Sequence, residues 1–374
     1  MTSSIRLGTI WGIPVGLHWS LLVVFALLVW SLAGSWLPEE YPTLGPGLSI
    51  ALAALTAVLF FASILLHELG HARVAQREGI PVEGITLFIF GGVAQIGEQS
   101  RTPGEEFRIA AGGPVVSFVL FLLFQGLYAL DRSVAVLAAP SEWLARINLA
   151  LLLFNLIPGY PLDGGRMLRA AVWKVSGNEA TGWKVARASG QLVSIGLMGI
   201  GIWQIIRGDT ANGVWLVFIG WFLQNASAAE DASRTIQSQL TGVRVADAMA
   251  LVDEPRVPSR TRLRQLVDDH VLAHGDHYFL VIDDDVPRGV LTLADVTKIP
   301  QDKWDWTSVT DVMTPWPRLV TIGPDADLLD AMRQMDAGGY GHMPVVREGA
   351  LLGLLTREEV LRYLRVRAEL GARA

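Results

Sequence analysis

The stretch His67-Glu68-Leu69-Gly70-His71 closes an apolar run, residues 48–69, that is long enough to cross a bilayer. Ionisable side chains in hydrocarbon are costly, so a cluster of them at this depth indicates a functional site. On a helix, the i, i+4 spacing puts His67 and His71 on one face, where both rings can ligate one metal ion. Glu68 lies one step round the helix and is placed to take a proton from a metal-bound water. The pattern therefore predicts a zinc site on a membrane-spanning helix, residues 48–75.

The composition describes a membrane protein with a soluble appendage. Hydrophobic residues make up 51% of the 374 residues, and the long apolar runs lie before about residue 235. We therefore predict a membrane domain, residues 1–235, and a soluble domain, residues 236–374. A net charge of -6 without a Lys/Arg cluster argues against a nucleic-acid partner. Because the chain has no cysteine, disulfides and thiolate metal ligands are excluded.

A window of roughly 19 residues identifies six apolar segments that could span a membrane. They are 16–37, 48–75, 105–130, 137–157, 183–206 and 212–230. Lys and Arg are concentrated in the second and fourth connections, and the first connection has neither. Since cytoplasmic loops carry the excess of positive charge, we predict a multi-pass protein of the cell membrane whose termini and soluble domain are cytoplasmic.

The third zinc ligand is predicted in the segment 155–166. A catalytic zinc usually takes three protein ligands and leaves one position for water, so the two histidines need a partner. Asp163 is the strongest candidate, because two prolines and three glycines break an apolar span around it. Irregular backbone at membrane depth is tolerated where it is buried in protein or lines a wet cavity, and a metal site would provide that setting. The alternative is that Asp163 caps the helix that follows it.

Residues 84–97, between the second and third spans, predict a β-hairpin because strand-forming residues flank Gly91-Gly92. We expect these two glycines to form the turn, since a two-residue primed turn requires positive φ. A transmembrane substrate must unwind before cleavage, and a free strand edge would give its backbone new hydrogen-bond partners. The alternative is a re-entrant hairpin that only shields the site.

These motifs resemble those of the site-2 protease family of intramembrane zinc metalloproteases, in its subgroup with cytosolic CBS domains. The zinc helix of that family resembles His67-Glu68-x-x-His71, and its Asn-x-x-Pro-x-x-Pro-Leu-Asp-Gly segment resembles residues 155–164. The resemblance implies that His67, His71 and Asp163 hold one Zn²⁺ and that Glu68 is general base and then general acid. It also implies that Asn155 lies near the scissile peptide, although Asn155 could equally form a hydrogen bond between helices. Substrate contacts are expected at Phe88, Phe90, Gly91, Gly92 and Pro161.

The soluble domain contains an internal repeat, about 243–299 and 308–366, that resembles a tandem CBS pair. Val245-Ala-Asp247-Ala-Met249 recurs 64 residues later as Val309-Thr-Asp311-Val-Met313. In CBS domains the Thr and Asp of a Gly-h-h-Thr-x-x-Asp pattern contact the ribose of adenine nucleotides. Thr292 and Asp295 match this pattern, whereas the second copy has Thr356 and Glu359. The resemblance therefore implies ATP or another adenine nucleotide as a ligand, with a purely structural or homodimer-forming pair as the alternative.

The sequence thus predicts a polytopic α-helical membrane protein with six transmembrane helices and a re-entrant β-hairpin, followed by a cytosolic α+β tandem CBS pair. The implied function is zinc-dependent cleavage of a transmembrane segment of a membrane-bound substrate, in contact with the lipid bilayer. Two alternatives stay open, a channel or transporter gated by the CBS pair and an inactive relative that binds substrates.

Three histidines of the soluble domain, His270, His274 and His277, include a further i, i+4 pair. They lie at the polar end of a predicted helix, beside acidic residues. The sequence favours a solvated surface here over a second metal site.

Overall fold

The computed structural model describes residues 4–89, 91–96, 100–130, 132–251, 256–284, 286–348 and 350–371. The chain divides into two compact units, Met1–Glu230 and Asp231–Ala374. The first unit combines long helices with a small β-sheet, and the second unit is α+β. The helices that begin in the first unit are α1 Ser20–Glu40, α2 Pro46–Arg77, α3 Pro103–Leu130, α4 Ala135–Asn155, α5 Asp163–Ser176, α6 Glu179–Ile206 and α7 Thr210–Leu240.

Within the described residues, five of these helices are long and apolar enough to cross a membrane: α1, α2, α3, α4 and α6. The sixth predicted span, 212–230, falls within the helix α7, which is not among the five. Its apolar residues, 214–223, are bounded by Asn212 on one side and by Gln224 and Asn225 on the other. The six-span count is therefore not confirmed.

A four-stranded sheet lies against the zinc helix α2. Its strands are β1 Ser4–Ile10, β2 Ile13–His18, β3 Val82–Phe88 and β4 Gly91–Ile96, and they lie side by side in that order. β2 and β3 are parallel, with α1 and α2 as the connection between them, and the other two pairs are antiparallel. Ile13 and Ile85 of the sheet pack with Leu69 and Ala72 of α2 in one buried apolar cluster. The sheet is thus fixed to the helix that carries the histidines.

The hairpin predicted at 84–97 is formed by β3 and β4, but its turn is displaced from the predicted position. Phe88 pairs with Gly91 and Leu87 with Gly92, so both glycines take part in the strand pairing. Gly91 has a φ of 124°, and both glycines belong to β4. The prediction that Gly91-Gly92 forms the turn is wrong. Gly92 is instead required to be small because the Glu68 side chain lies against it. Phe90 and residue 97 lie outside the described residues.

Helices α2 and α3 approach each other closely through glycines. A Cβ atom on Gly70 would lie 2.5 Å from the Gly112 carbonyl oxygen, and a Cβ on Gly112 would lie 2.6 Å from the Gly70 carbonyl oxygen. Small residues allow such backbone contact between membrane helices. This contact brings the residues of α3 within reach of the two histidine rings.

The second unit is built from the two sequence repeats, which exchange their first segments. The strands β7 Tyr278–Asp283 and β8 Val286–Thr292 pair with β9 Thr314–Pro315 of the second repeat. The strands β10 His342–Arg347 and β11 Ala350–Thr356 pair with β5 Ala250–Leu251 of the first repeat. The sheet of the first repeat is completed by β6 Arg256–Pro258. The α-helices of this unit are α8 Val245–Ala248, α9 Leu263–Leu266, α10 Leu293–Val296, α11 Val309–Val312, α12 Leu328–Gly338 and α13 Arg357–Gly371. α9 continues as a π-helix, Val267–Leu272.

The apolar cores follow the same exchange. Val245 and Ala248 are buried among residues 322–364, and Val309 is buried among residues 257–304. Neither repeat has a complete core without the other. The paired occurrence of the motif in the sequence therefore has a physical cause.

Candidate active site and metal centre

Three potential metal ligands converge in the interior of the first unit. His67 Nε2 lies 3.2 Å from Asp163 Oδ2, and His71 Nε2 lies 3.2 Å from Asp163 Oδ1. The two Nε2 atoms are 3.3 Å apart, and all three residues are buried. Two imidazoles and one carboxylate, with their ligand atoms turned to a common point, form a donor set that suits a catalytic zinc.

The outer nitrogen of each imidazole is held by α3. His67 Nδ1 lies 2.8 Å from Ser117 Oγ, and His71 Nδ1 lies 2.7 Å from the Ile109 carbonyl oxygen. A carbonyl can only accept, so His71 Nδ1 carries the proton and its Nε2 is left with a lone pair for a metal. Such contacts fix the tautomer and orientation of metal-ligating histidines. α3 therefore supplies the support for ligands that α2 provides.

Gly113 of α3 leaves room for the two rings. A Cβ atom at this position would collide with His71 Nε2 and would lie 2.6 Å from His67 Nε2. Gly126, further along α3, has nothing within 4 Å of its Cβ position. The glycine at 113 is thus required by the metal centre, and not by the helix.

Asp163 is the first residue of α5, and Leu162 occupies the N-cap position without a side-chain cap bond. The Asp163 carboxylate contacts both histidines, as the ligand interpretation predicts. A negative charge in the first turn of a helix is also favoured by the helix dipole. Gly164 and Gly165 allow the chain to fold back, since a Cβ on either would collide with backbone atoms of residues 156–160.

Glu68 is half-buried and lies beside the hairpin. A Cβ atom at Gly92 would collide with Glu68 Cγ and would lie 3.0 Å from Glu68 Cδ. The backbone of β4 therefore passes in contact with the side chain predicted to be the general base. β4 is an edge strand within the described part of the sheet, as is β1 on the opposite side.

A buried network of charges connects α5 to α3 and α6. Glu106, 2% exposed, accepts a hydrogen bond from Arg166 Nε at 3.1 Å and one from Ser100 Oγ at 2.7 Å. Arg169, also 2% exposed, lies 3.7 Å from Glu106 and donates to Glu179 at 3.0 Å. Buried charges persist where they are paired and hydrogen-bonded, as these are. Arg166 and Arg169 follow Asp163 on the same helix, so the network fixes the helix that presents the third ligand.

The remaining predicted residues of this site lie on neighbouring elements. Asn155 is the last residue of α4 and donates from Nδ2 to the Leu151 carbonyl at 3.0 Å, a bond within its own helix. Phe88 ends β3 and is half-buried, and Pro161 is half-buried after a cis peptide bond with Tyr160. Phe90 is not among the described residues.

The predicted nucleotide residues lie at matching positions in the two repeats. Thr292 Oγ1 donates to Asp295 Oδ2 at 2.7 Å, and Asp295 Oδ1 is 2.8 Å from Lys298 Nζ. Burial acts to raise the pKa of Asp295, but the hydrogen bonds from Lys298 and Thr292 outweigh it and hold that pKa below its usual value. In the second repeat Thr356 accepts from the Glu359 amide, and the Glu359 carboxylate pairs with Arg362.

Comparison with known proteins places this geometry in a family. The model of peptidase family M50 matches residues 55–135 and 127–198, and the CBS domain model matches residues 309–366. The Mycobacterium tuberculosis protein Rip3 is 37% identical, covering 98% of this chain and 94% of its own length. The Synechocystis protein sll0528 is 33% identical, covering 98% and 97%. Both carry zinc metalloprotease in their names.

The chain belongs to peptidase family M50. It is a site-2 type zinc metalloprotease of the membrane with a CBS region. The family resemblance inferred from the motifs is thus confirmed. The solved structure of the site-2 protease from Methanocaldococcus jannaschii is 27% identical, covering 61% of this chain and 94% of that one, with a TM-score of 0.40. His67, His71 and Asp163 form the cluster that could hold the metal ion of this metalloprotease.

The sequence prediction missed the residues that support the ligands. Ser117, Gly113 and Glu106 were not among the predicted site residues. The available signal was periodic: Ile109, Gly113 and Ser117 recur every four residues and so share one face of α3. Glu106 carried a weaker signal, as an acidic residue at the start of an apolar helix.

Proposed function

We propose that this metalloprotease cleaves a transmembrane segment of another membrane protein at the depth of the bilayer. The observation that carries the proposal is the burial of His67, His71 and Asp163 on helices of which α2 is apolar enough to span a membrane. A soluble substrate would not need a catalytic centre on such a helix. An ionisable cluster in a membrane segment is expected to be functional.

Zinc bound by the three ligands would act as a Lewis acid that lowers the pKa of a water molecule. Glu68 accepts a proton from the water that attacks the peptide carbonyl carbon. As the C–N bond breaks, Glu68 returns that proton to the departing amine, so the carboxylate is regenerated. Asn155 is a candidate for stabilising the oxyanion, because its side-chain amide has two N–H donors and the bond to Leu151 uses one.

The edge of β4 is the proposed binding site for the unwound substrate. Its backbone contacts Glu68 through Gly92, so a peptide added at this edge would lie beside the general base. Strand addition satisfies backbone amides that have lost their helical bonds. In this arrangement Phe88, Phe90, Gly91, Gly92 and Pro161 line the substrate path.

The two edges of the sheet provide a matched test of substrate position. A photo-crosslinking residue would be placed at Gln95 on β4 or at Thr9 on β1, in a Glu68→Gln background. The probe is a single-span membrane protein with a Gly-Pro pair in its span. We expect crosslinks from position 95 and background levels from position 9. Equal crosslinking from both edges would remove strand addition at β4 from the proposal.

Turnover and metal binding separate an active enzyme from an inactive relative. Glu68→Gln should abolish cleavage of the same probe and retain the zinc ion held by His67, His71 and Asp163, whereas Asp163→Ala should lose that ion. Cleavage that persists in Glu68→Gln at the wild-type rate would overturn the proposed role of Glu68. A wild-type chain that holds zinc and never cleaves would favour the substrate-binding alternative.

We also propose that the termini and the CBS region are cytoplasmic and that the CBS region binds an adenine nucleotide. The first proposal is supported by the distribution of Lys and Arg between the loops. The second is supported by the hydrogen-bonded pair Thr292 and Asp295, and the departure at Glu359 makes the first repeat the better site. Titration of the full chain with AMP and ATP should show binding that Asp295→Ala weakens at least tenfold, while Glu359→Ala changes it little. A homodimer formed through this module would have twice the mass of one chain, which light scattering of the full chain measures.

A further inference from the structure

A second group of potential metal ligands lies on the surface of the first CBS repeat. His270, His274 and Asp276 each offer one ligand atom, and these atoms lie within 4.8 Å of one another. His270 Nδ1 is 3.7 Å from Asp276 Oδ2, and the two imidazole centroids are 6.3 Å apart. We propose that these three side chains form a second Zn²⁺ site, separate from the catalytic centre.

The local backbone explains why the sequence did not reveal this site. The helix that starts at Leu263 continues as a π-helix, Val267–Leu272, and ends in a turn at Gly275, whose φ is 77°. The Gly275 amide donates to the Val271 carbonyl at 2.9 Å, and the Asp276 amide donates to the His270 carbonyl at 3.4 Å. This helix-ending motif folds the chain back on itself. Asp276 therefore returns to His270, although six positions separate them in the sequence.

The donor set selects the metal. Two imidazoles with one carboxylate favour zinc and its neighbours in the transition series, whereas Mg²⁺ and Ca²⁺ favour oxygen ligands alone. The chain already uses the same three donors at the catalytic centre. Three protein ligands would leave a coordination position for water.

The support around the ligands fits metal binding. His274 Nδ1 is 3.0 Å from the Asp269 carbonyl oxygen, so it carries the proton and its Nε2 is available as a ligand. A backbone carbonyl on the second nitrogen is a typical support for a metal-binding histidine. Two ligands of a tetrahedral zinc are roughly 3.3 Å apart with bonds of about 2.0 Å. The three ligand atoms, which lie within 4.8 Å of one another, must therefore move closer together when the metal binds.

The site is connected to the core and to the predicted nucleotide residues. The His270 ring packs edge to face on Phe279, a fully buried residue of β7, with 6.0 Å between centroids. The next residue after Asp276, His277, accepts a 2.9 Å backbone hydrogen bond from Leu293, and Tyr278 pairs with Thr292. Zinc would join the end of the helix to the start of β7, next to Thr292. Binding of zinc and of nucleotide would then be coupled, and each would change the affinity of the other by the same factor.

Zinc titration of the full-length chain, with any affinity tag removed, tests the site. Wild type should bind two zinc ions, of which one is removed rapidly by a chelator. His274→Ala and Asp276→Asn should each weaken the rapidly exchanging ion at least tenfold and leave the other unchanged. His277→Ala is the matched control, because it is an exposed histidine of the same stretch outside the cluster. It should still bind two ions.

The outcomes separate this site from the catalytic one. A wild-type chain with one zinc ion, or equal weakening in the His277→Ala control, would overturn the second site and leave the protease proposal intact. Loss of the slowly exchanging ion in His274→Ala would also overturn it. As an independent readout, zinc should slow hydrogen exchange at the Leu293 amide in wild type and in His277→Ala, but not in His274→Ala.

Discussion

The buried Glu106 and the half-buried Arg166 form an ion pair, with 3.1 Å between Arg166 Nε and Glu106 Oε1, across 60 residues of sequence. Arg166 stands three positions after Asp163 on α5, and its guanidinium also interacts electrostatically with the Asp163 carboxylate. The pair thus connects the helix of the third ligand to α3, which holds the outer nitrogens of both histidines.

Removal of the Glu106 charge should weaken zinc binding. Glu106→Gln leaves two arginines without their buried partner, and breaking a buried pair costs about 3 to 5 kcal/mol. We expect zinc affinity to fall about 10- to 100-fold, the range typical of residues that support metal ligands. Chelator competition measures this. Glu179→Gln, which removes only the more exposed partner of Arg169, is the control and should bind zinc nearly as well as wild type. Equal zinc affinity in both variants would refute the positioning role.

A methyl group at Gly113 should displace the histidine rings. Gly113→Ala places a Cβ against both Nε2 atoms, and the rings cannot withdraw without breaking their bonds to Ser117 and Ile109. We expect at least a tenfold loss in zinc affinity, measured as zinc per chain during dialysis against a chelator. Gly126→Ala makes the same change on the same helix in open space and should have no effect. Full zinc content in Gly113→Ala would show that the site is more open than described.

A side chain at Gly92 should affect catalysis and spare the metal. Gly92→Ala would force the Glu68 side chain away from β4, since the collision is at Cγ and not at the flexible end of the side chain. We expect cleavage of the single-span probe to fall by two orders of magnitude or more, as for loss of general-base catalysis. Zinc content should stay at the wild-type level. A variant that loses zinc and activity together would instead indicate a general disruption of the hairpin.

Acid should destabilise the CBS region by protonating the Asp295 carboxylate. Its folded-state pKa is lowered by Lys298 and Thr292 against the effect of burial, so the carboxylate adds stability above its unfolded pKa, about 3.9. That contribution is lost as the pH falls through the lower, folded-state pKa. Asp295→Asn should cost roughly 1 kcal/mol at pH 7, a usual value for capping interactions. Hydrogen exchange of peptides covering β7 to α10 should then differ between variant and wild type at pH 7, and the difference should shrink as the pH falls below about 4 and through the folded-state pKa of Asp295. A constant difference at all pH values would exclude the carboxylate as the cause.

The ligands were predictable because spacing along a helix determines which side chains share a face. His67 and His71 required only that rule, and Asp163 required the physical argument that a broken span needs a polar partner. The supporting residues Ser117 and Ile109 were not predictable in the same way. Their role depends on the distance between α2 and α3, which the contact of Gly70 with Gly112 sets.

The strands were less predictable than the helices. Residues 16–18 were assigned to the first span, but they end β2, because a strand buried in an apolar setting has the same composition as a span. In the hairpin, Gly91-Gly92 resembled a turn, yet Gly92 is small because Glu68 lies against it. A glycine required by a neighbour in space cannot be distinguished in sequence from one required by its own φ.

The metal centre can form only in a fixed order during synthesis of the chain. His67 and Asp163 are separated by 96 residues, and Ser117 lies between them. At a synthesis rate of about 5 to 20 residues per second, roughly 5 to 20 seconds pass between the two ligands leaving the ribosome. During that interval the nascent chain offers the metal two histidines without the carboxylate. The nascent chain therefore lacks the complete ligand set for peptide cleavage until the fourth span has been synthesised and α5 has packed against α3.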